Sequence, residues 1–301
     1  MIYTVTFNPA IDYVIHLHVP LQTGCINRTA AEDFQFGGKG INVSGVLKTL
    51  GLESVALGFV AGFTGQALEQ GLQRQGIRTD LICVEEGMTR INVKIKGSTE
   101  TEINGMGPQI RECHMQALYE KLDALQPGDT LVLSGSIPGC LSQDTYEKIL
   151  ARLEGRGLLT VVDATRELLV NVLKYKPFLI KPNNHELGEI FGSVPVTDEQ
   201  ITACARKLQA MGGRNILVSL AGDGALLLDE GGCVHRIHCP QGTVVNSVGA
   251  GDSMVAGFLA GYRQTGDYGY ALKLGTAAGS ATAFSIGLAE KILIDKLLEE
   301  L

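Results

Sequence analysis

Gly249-Ala250-Gly251-Asp252 places a carboxylate directly after three small residues, at the start of a segment with helical periodicity. Apolar residues recur there at i, i+3, i+4 and i+7, namely at Val255, Phe258, Leu259 and Tyr262, which predicts one apolar helix face. The first amides of a helix have no partner within it, and glycines let a ligand approach them closely. The stretch therefore predicts an anion-binding loop beside an acid, although Gly-Ala-Gly is also a common turn and Asp a common helix cap.

From about residue 107 onward, short apolar runs typical of strands alternate with helix-like segments. The runs are Leu131-Val132-Leu133, Leu159-Thr160-Val161-Val162, Phe178-Leu179-Ile180 and Ile216-Leu217-Val218. Polar residues or glycine follow each run, beginning at Ser134, Asp163, Lys181 and Ser219. This alternation predicts an α/β fold with a mostly parallel sheet, covered by helices on both faces, that binds its ligands at the carboxyl ends of the strands.

Residues 89–105 follow a different pattern, because apolar and polar residues alternate strictly from Arg90 to Lys96. After Gly97-Ser98 the alternation resumes from Thr101 to Asn104, which predicts an antiparallel hairpin with one polar face. Together with the strand-like segment from Asp12 to Phe36, the hairpin predicts a small sheet standing over the main domain. A plain edge hairpin without a functional role is the alternative.

The composition excludes several partners. A net charge of -7 without a basic block argues against an extended nucleic-acid surface. The N-terminal residues lack a basic leader region, and no apolar run reaches membrane length. Seven cysteines without a Cys-x-x-Cys pair indicate free thiols in a reducing compartment, so we expect a cytoplasmic protein. The short strand-like segment from Cys233 to Cys239 would direct its Cys and His side chains to opposite faces, so no metal site is expected there.

Two further candidate segments lie near the N-terminus. The strand-like run Ile2 to Phe7 is followed by Asp12, whose carboxylate could accept hydrogen bonds from sugar hydroxyls. Gly37-Gly38-Lys39-Gly40-Ile41-Asn42 leads into a helix-patterned segment, so its glycines and lysine form a second candidate anion site. The chain contains neither a Walker A loop nor a complete Gly-x-Gly-x-x-Gly, so P-loop and Rossmann dehydrogenase interpretations are less favoured.

These segments, in this order, resemble the PfkB-type, ribokinase-like carbohydrate kinases over essentially the whole chain. The resemblance rests on four motifs: Asn8-Pro9-Ala10-Ile11-Asp12, the Gly-Gly-Lys-Gly-x-Asn segment at 37–42, Lys181-Pro182-Asn183-x-x-Glu186, and Gly249-Ala250-Gly251-Asp252. It implies a three-layer α/β/α sandwich with a small β-sheet lid, and ATP and Mg²⁺ as cofactors for phosphorylation of a hydroxymethyl group. We accordingly expect a nucleotide-binding domain at 1–11, 37–87 and 107–301, and a lid at 12–36 and 88–106.

The resemblance also implies roles for individual residues. Asp252 resembles the base that accepts the proton of the attacking hydroxyl, and the amides of Gly249, Ala250 and Gly251 resemble the anion hole. The remaining matches concern the nucleotide: Lys181, Asn183 and Glu186 are similar to the nucleotide and magnesium motif, with Glu186 acting on the metal through water, and Ser219, Gly222 and Gly224 match the triphosphate and adenosine loop.

At the substrate end, Thr89 to Lys94 and Thr101 to Gly105 look like the branch of the family that acts on sugar phosphates. An arginine on the lid is a natural partner for a phosphate. The residues expected to hold the sugar phosphate are Asp12, Gly38, Lys39, Asn42, Arg90 and Asn104. Met106 departs from the Pro that is usual in this branch. The implied reaction converts fructose 1-phosphate to fructose 1,6-bisphosphate, and phosphorylation of tagatose 6-phosphate to tagatose 1,6-bisphosphate is the alternative.

Other interpretations remain open at this point. The chain could be a kinase of an unphosphorylated sugar, which Lys39 and Arg90 disfavour, or a sugar-phosphate sensor without catalysis, which the intact Asp252 disfavours. A Rossmann-type oxidoreductase is a structural analogue. The free edge of the lid predicts a homodimer in which two chains cover each other's exposed strands.

Overall fold

The computed structural model describes residues 1–97 and 100–301. The strands are β1 (Ile2–Thr6), β2 (Ala10–Leu17), β3 (Thr29–Gly37), β4 (Ser54–Ala61), β5 (Arg78–Thr79), β6 (Ile82–Val84), β7 (Arg90–Lys96), β8 (Thr101–Ile103), β9 (Thr130–Ser134), β10 (Leu159–Asp163), β11 (Leu179–Ile180), β12 (Asn215–Ser219), β13 (Ala225–Leu228) and β14 (Val234–Ile237).

The α-helices are α1 (Lys39–Thr49), α2 (Gly62–Arg74), α3 (Glu112–Asp123), α4 (Thr145–Leu153), α5 (Arg166–Val172), α6 (Asn184–Phe191), α7 (Asp198–Ala210), α8 (Ala250–Thr265), α9 (Tyr268–Ala283) and α10 (Lys291–Glu300). Short 3-10 turns occupy Leu173–Tyr175 and Ala221–Asp223. None of the helices in the described part of the chain is both long and apolar enough to cross a membrane.

The main sheet has the strand order β14-β13-β12-β11-β10-β9-β1-β4-β5, with β6 also pairing with β4. Strands β9 to β12 are parallel neighbours, as the apolar runs after residue 107 predicted. Strand β1 lies parallel between β4 and β9, and the antiparallel strands β13 and β14 close the other end. The carboxyl ends of the parallel strands therefore meet at one edge of the sheet, where the polar residues after each run were expected to gather.

Helices cover both faces of this sheet because its strands bury alternate side chains on opposite sides. In β12, Ile216 and Val218 face one core, formed with α3 to α7, and Leu217 faces the other. The second core includes apolar residues of α1, α8, α9 and α10. The buried apolar side chains that form these two cores are at most 8% exposed. The predicted three-layer α/β/α architecture is confirmed.

A separate small sheet has the order β3-β2-β7-β8. Strands β7 and β8 are antiparallel, which confirms the predicted hairpin, although Ser98 of its predicted turn lies outside the described residues. Strands β2 and β7 are parallel, with Ala10 opposite Arg90 and Asp12 opposite Asn92. The chain enters this sheet just after β1 and leaves it just before α1. The small sheet consequently begins at the carboxyl edge of the main sheet.

Candidate active site

Residues from both sheets and from two helix starts surround one cavity of about 310 Å³ at this edge. The lining includes nine of the residues predicted from the sequence: Asp12, Gly38, Lys39, Asn42, Arg90, Lys181, Gly249, Gly251 and Asp252. It also includes four that were not predicted as site residues: the polar Asn92 and Asp163 and the apolar Ala10 and Val248. Segments almost the whole length of the chain apart therefore contribute to a single site.

Asp252 lies in the first turn of α8 and is buried at 5% exposure. Its Oδ2 accepts a hydrogen bond of 2.8 Å from Asn42 Nδ2. Burial, reinforced by the nearby charge of Asp163, raises the pKa of Asp252 to about 7, while the bond from Asn42 and the charges of the neighbouring lysines act against this rise. A carboxylate with this pKa can accept and release a proton near neutral pH.

The N-terminus of α8 is open to a ligand. Gly249 is its N-cap and adopts φ +82°, a left-handed conformation that favours glycine, and no described side chain caps the helix. The first-turn amides of Gly251 and Asp252 have no partner within the helix. A Cβ atom added to Gly251 would lie 3.1 Å from Lys181 Nζ, so an ammonium group adjoins these amides. Together they form a site for an anion.

Asp163 ends β10 and lies buried between two lysines. Its Oδ2 is 3.3 Å from Lys39 Nζ and its Oδ1 is 3.3 Å from Lys181 Nζ. Burial opposes ionisation, but the charges of Lys181 and Lys39 prevail and lower the pKa of Asp163. The signal that could have identified this residue was present in the sequence, because Asp163 follows a strand at the same edge as Lys181 and Ser219.

The small sheet supplies the opposite wall of the cavity. Asp12 Oδ1 accepts a hydrogen bond of 2.8 Å from Asn92 Nδ2, and Asp12 Oδ2 forms an ion pair of 2.7 Å with the buried Lys94. Arg90 Nε donates to the carbonyl oxygen of Asn8 at 3.0 Å. Within the described part of the chain this bond uses Nε alone, so the other guanidinium donors of Arg90 are available to a phosphate.

Asn104 is the predicted substrate residue that lies apart from this wall. Its side chain is exposed and does not line the cavity. The inward position belongs to Asn92, whose Oδ1 accepts a bond of 3.2 Å from the amide of Gly105. The loop after β8 is therefore attached to the site through Asn92.

The predicted nucleotide residues lie beside the cavity, near the ends of β11 and β12. Asn183 and Glu186 form a capping box at α6: Glu186 N donates to Asn183 Oδ1 at 2.8 Å, and Asn183 N donates to Glu186 Oε2 at 2.8 Å. Asn183 also forms an isolated parallel β-bridge with Ser219. Gly224 has φ +95° and is buried, and open space surrounds the exposed Gly222. Asn183 and Glu186 therefore also fix the start of helix α6.

Comparisons with known proteins agree with this architecture. Residues 5–294 match the family described as pfkB family carbohydrate kinase. The 1-phosphofructokinase of Bacillus subtilis (strain 168) is 46% identical over 300 residues, covering 100% of this chain and 98% of that protein. The D-tagatose-1-phosphate kinase of Bacillus licheniformis is 37% identical over 302 residues, covering 100% of this chain and 98% of that protein.

Among solved structures, the phosphofructokinase-2 of Escherichia coli in complex with substrates and products has a TM-score of 0.93 at 24% identity. The similarity covers 100% of this chain and 99% of that one, and at this identity it establishes the fold alone, which is ribokinase-like as predicted. The match to the family over nearly the whole chain establishes more. The chain belongs to the pfkB family of carbohydrate kinases, which are phosphotransferases with an alcohol group as acceptor.

Proposed function

We propose that this chain transfers the terminal phosphoryl group of ATP to the C6 hydroxyl of fructose 1-phosphate, giving fructose 1,6-bisphosphate and ADP. The observation that carries the proposal is a cavity with two chemically different ends. Asp252 and the open N-terminus of α8 stand at one end, and Arg90 stands on the opposite wall. A ketohexose with a phosphate at one end and a free hydroxymethyl group at the other matches this polarity.

Each group of the chain has a definite task in this reaction. As the C6 oxygen bonds to the transferred phosphorus and the bond from that phosphorus to the ADP oxygen breaks, Asp252 accepts the hydroxyl proton. The amides at the start of α8 and the ammonium group of Lys181 stabilise the charge on the transferred group. Arg90 and Asp12 hold the substrate, so that its C6 hydroxyl faces the base.

The residues present fit ATP and Mg²⁺. Mg²⁺ usually binds through one or two carboxylates together with phosphates and water, and it supplies charge neutralisation on the phosphates. Glu186 meets this requirement, since its carboxylate is fixed by the amide of Asn183 at 2.8 Å near the cavity. Open space at Gly222 suits a backbone that approaches a nucleotide closely, whereas Gly224 packs against the backbone of residues 237–239. We propose that Ser219, Gly222 and Gly224 belong to the loop that binds the nucleotide, and that Glu186 acts on the metal ion through water.

The test is ADP release with ATP and a panel of acceptors: fructose 1-phosphate, tagatose 6-phosphate, tagatose 1-phosphate, fructose 6-phosphate, fructose and ribose. We expect fructose 1-phosphate to give the highest kcat/KM. The kcat/KM for fructose 1-phosphate should exceed that for free fructose by roughly 10- to 100-fold, because charge-assisted hydrogen bonds to one phosphate contribute about this much. A preference for free fructose or ribose would overturn the proposal.

Phosphorylation of a tagatose phosphate is the second candidate. The Bacillus licheniformis relative is named for tagatose 1-phosphate, a sugar with its phosphate on C1. The alternative predicted from the sequence is tagatose 6-phosphate, which carries its phosphate on C6. Either sugar presents a terminal hydroxymethyl group to Asp252 from the same cavity, so the ranking of these acceptors decides between them. A chain that binds fructose 1-phosphate without any ADP release would instead be a sensor.

We further propose the division into a main domain and a lid at the boundaries predicted from the sequence, with two chains pairing through their lids. Strand β3 is a free, largely exposed edge that carries Phe34, and an unpaired edge favours association. Sedimentation velocity at micromolar concentration tests this, since a monomer alone would refute it.

We also propose a cytoplasmic location, because none of the seven cysteines forms a disulfide, which is typical of a reducing compartment.

A further inference from the structure

Asp163 holds two ammonium groups with one carboxylate. Lys39 and Lys181 each lie 3.3 Å from a different oxygen of Asp163. These distances are longer than the roughly 2.7 to 2.9 Å of a charge-assisted N–H···O bond. Asp163 is therefore in contact with both ammonium groups at separations that leave both ion pairs loose, and the carboxylate of Asp252 lies nearby.

The two lysines differ in how much they depend on Asp163. The side chain of Lys181 is 7% exposed, whereas that of Lys39 is 44% exposed. A buried ammonium group without a partner is strongly unfavourable, while an exposed one is solvated by water. Among the described residues, Asp163 is the carboxylate that contacts the buried Lys181, while the more exposed Lys39 can turn towards another anion. Both lysines line the cavity, and Lys181 also adjoins the open amides of α8.

We infer that Asp163 is a positioning residue that takes the place of ligand phosphate in the ligand-free enzyme. Its carboxylate keeps Lys39 and Lys181 aimed at the cavity until phosphate groups of the ligands replace it as their main partner. The inference relies on the proposed function only for the identity of those ligands. The competition between Asp163 and a bound anion takes place whether or not the enzyme turns over.

The Asp163→Asn variant tests this competition. In chloride buffer, its Tm should fall by roughly 5 to 10 °C, because the buried Lys181 loses its partner. Inorganic phosphate should then supply the missing partner, so added phosphate should raise the Tm of the variant by at least about twice the rise seen in the wild type. The kcat should fall at least about tenfold because the lysines are no longer aimed. The KM for the phosphorylated substrate should stay level or fall, because the competing carboxylate is gone.

Asp229→Asn is the matched control. Asp229 is also a buried carboxylate in an ion pair, at 2.8 Å from His235. It follows the antiparallel β13, which places it at the opposite edge of the main sheet from the cavity. The Tm of this variant should also fall, but its kcat and the rise of its Tm with added phosphate should equal those of the wild type.

The outcomes separate a positioning role from a merely structural one. An equal phosphate-induced rise of Tm in Asp163→Asn and the wild type would overturn the inference, as would a KM that rises in step with the loss of kcat. If Asp163→Asn does not fold, Lys181→Met is compared with the double variant Asp163→Asn/Lys181→Met, which carries no unpaired buried charge. The double variant should bind inorganic phosphate several-fold more tightly, and equal affinity would overturn the inference.

The same experiments distinguish this inference from the proposed function. An enzyme that fails to phosphorylate any sugar phosphate but shows the stronger phosphate response of Asp163→Asn would refute the proposed function alone. An active fructose 1-phosphate kinase in which Asp163→Asn responds to phosphate as Asp229→Asn does would refute the inference alone.

Discussion

The two walls of the cavity hold their carboxylates in opposite ways. On the small sheet, each oxygen of Asp12 has its own donor, Asn92 at 2.8 Å and Lys94 at 2.7 Å. On the main-sheet side, Asn42 donates to one oxygen of Asp252, and Asp163 adds a second negative charge nearby. A carboxylate whose charge is matched in this way is suited to orienting a substrate. A buried carboxylate whose charge is incompletely matched is suited to accepting a proton, because its pKa rises.

The origin of the difference is structural. Asp12 lies on β2, where parallel pairing with β7 places Asn92 directly opposite and Lys94 further along the same strand. Asp252 lies at a helix start beside the end of the sheet, where its side chain is almost completely buried. Strand register thus provides the partners of Asp12, whereas burial at the helix terminus withholds them from Asp252.

Replacement of Asp252, the buried carboxylate whose charge is incompletely matched, should have the largest effect on activity. Asp252→Asn keeps the shape and the hydrogen bond to Asn42 but removes the base, so kcat should fall by about 10²- to 10⁴-fold. The KM for the sugar phosphate should change little, because the residues expected to hold the sugar phosphate are unchanged. Steady-state ADP release measures both quantities. Asp295→Asn, at an exposed ion pair on α10, should retain full activity. Near-wild-type turnover of Asp252→Asn would refute the role of the base.

The pH dependence is the next largest effect. Asp252 must be ionised to accept a proton, and its pKa is raised to about 7. Below this pH the protonated form dominates, so kcat/KM should fall about tenfold per pH unit, and it should level off above about pH 8. Rates across the range should be measured with Tm at each pH, so that unfolding is not mistaken for titration. A constant kcat/KM down to about pH 5 would contradict the raised pKa.

Removal of the charge that faces the substrate should have a smaller and more selective effect. Arg90→Ala should lower kcat/KM for fructose 1-phosphate by roughly 10- to 100-fold, because charge-assisted bonds to the phosphate are lost. The value for free fructose should change less than about threefold, since that sugar offers no phosphate to this side chain. The control is Arg152→Ala, which removes an exposed arginine paired with Asp123. An equal loss of kcat/KM for both sugars would mean that Arg90 supports the fold and does not recognise the phosphate.

Much of this arrangement could be predicted because it is local in the sequence. The parallel strands, the hairpin and the helix start near Asp252 each follow from a pattern of hydrophobicity within a few residues. The polar residue after each strand needs only the rule that parallel strands share a carboxyl edge. The four motifs added the family, which the match over residues 5–294 confirmed. The roles of the individual site residues remain predictions.

The parts that could not be predicted depend on contacts between distant segments. Asp163 becomes part of the site because Lys39, 124 residues away, reaches it from α1. No pattern around Asp163 identifies that partner or shows that the carboxylate will be buried beside another. Similarly, Asn92 and Asn104 both belong to sequence runs in which apolar and polar residues alternate, and alternation alone does not tell which of them faces the cavity. Register decides this, and register is a tertiary property.

The smallest expected effect therefore tests which asparagine belongs to the substrate wall. Asn92→Ala removes the donor to Asp12 Oδ1 and the acceptor for the amide of Gly105, so the KM for the sugar phosphate should rise about 3- to 10-fold with kcat nearly unchanged. Asn104→Ala should change KM less than about twofold, because its exposed side chain is outside the cavity lining. Equal effects of the two variants would mean that the loop after β8 moves Asn104 inward when substrate binds. In that case, the contrast between the walls would hold only for the ligand-free enzyme.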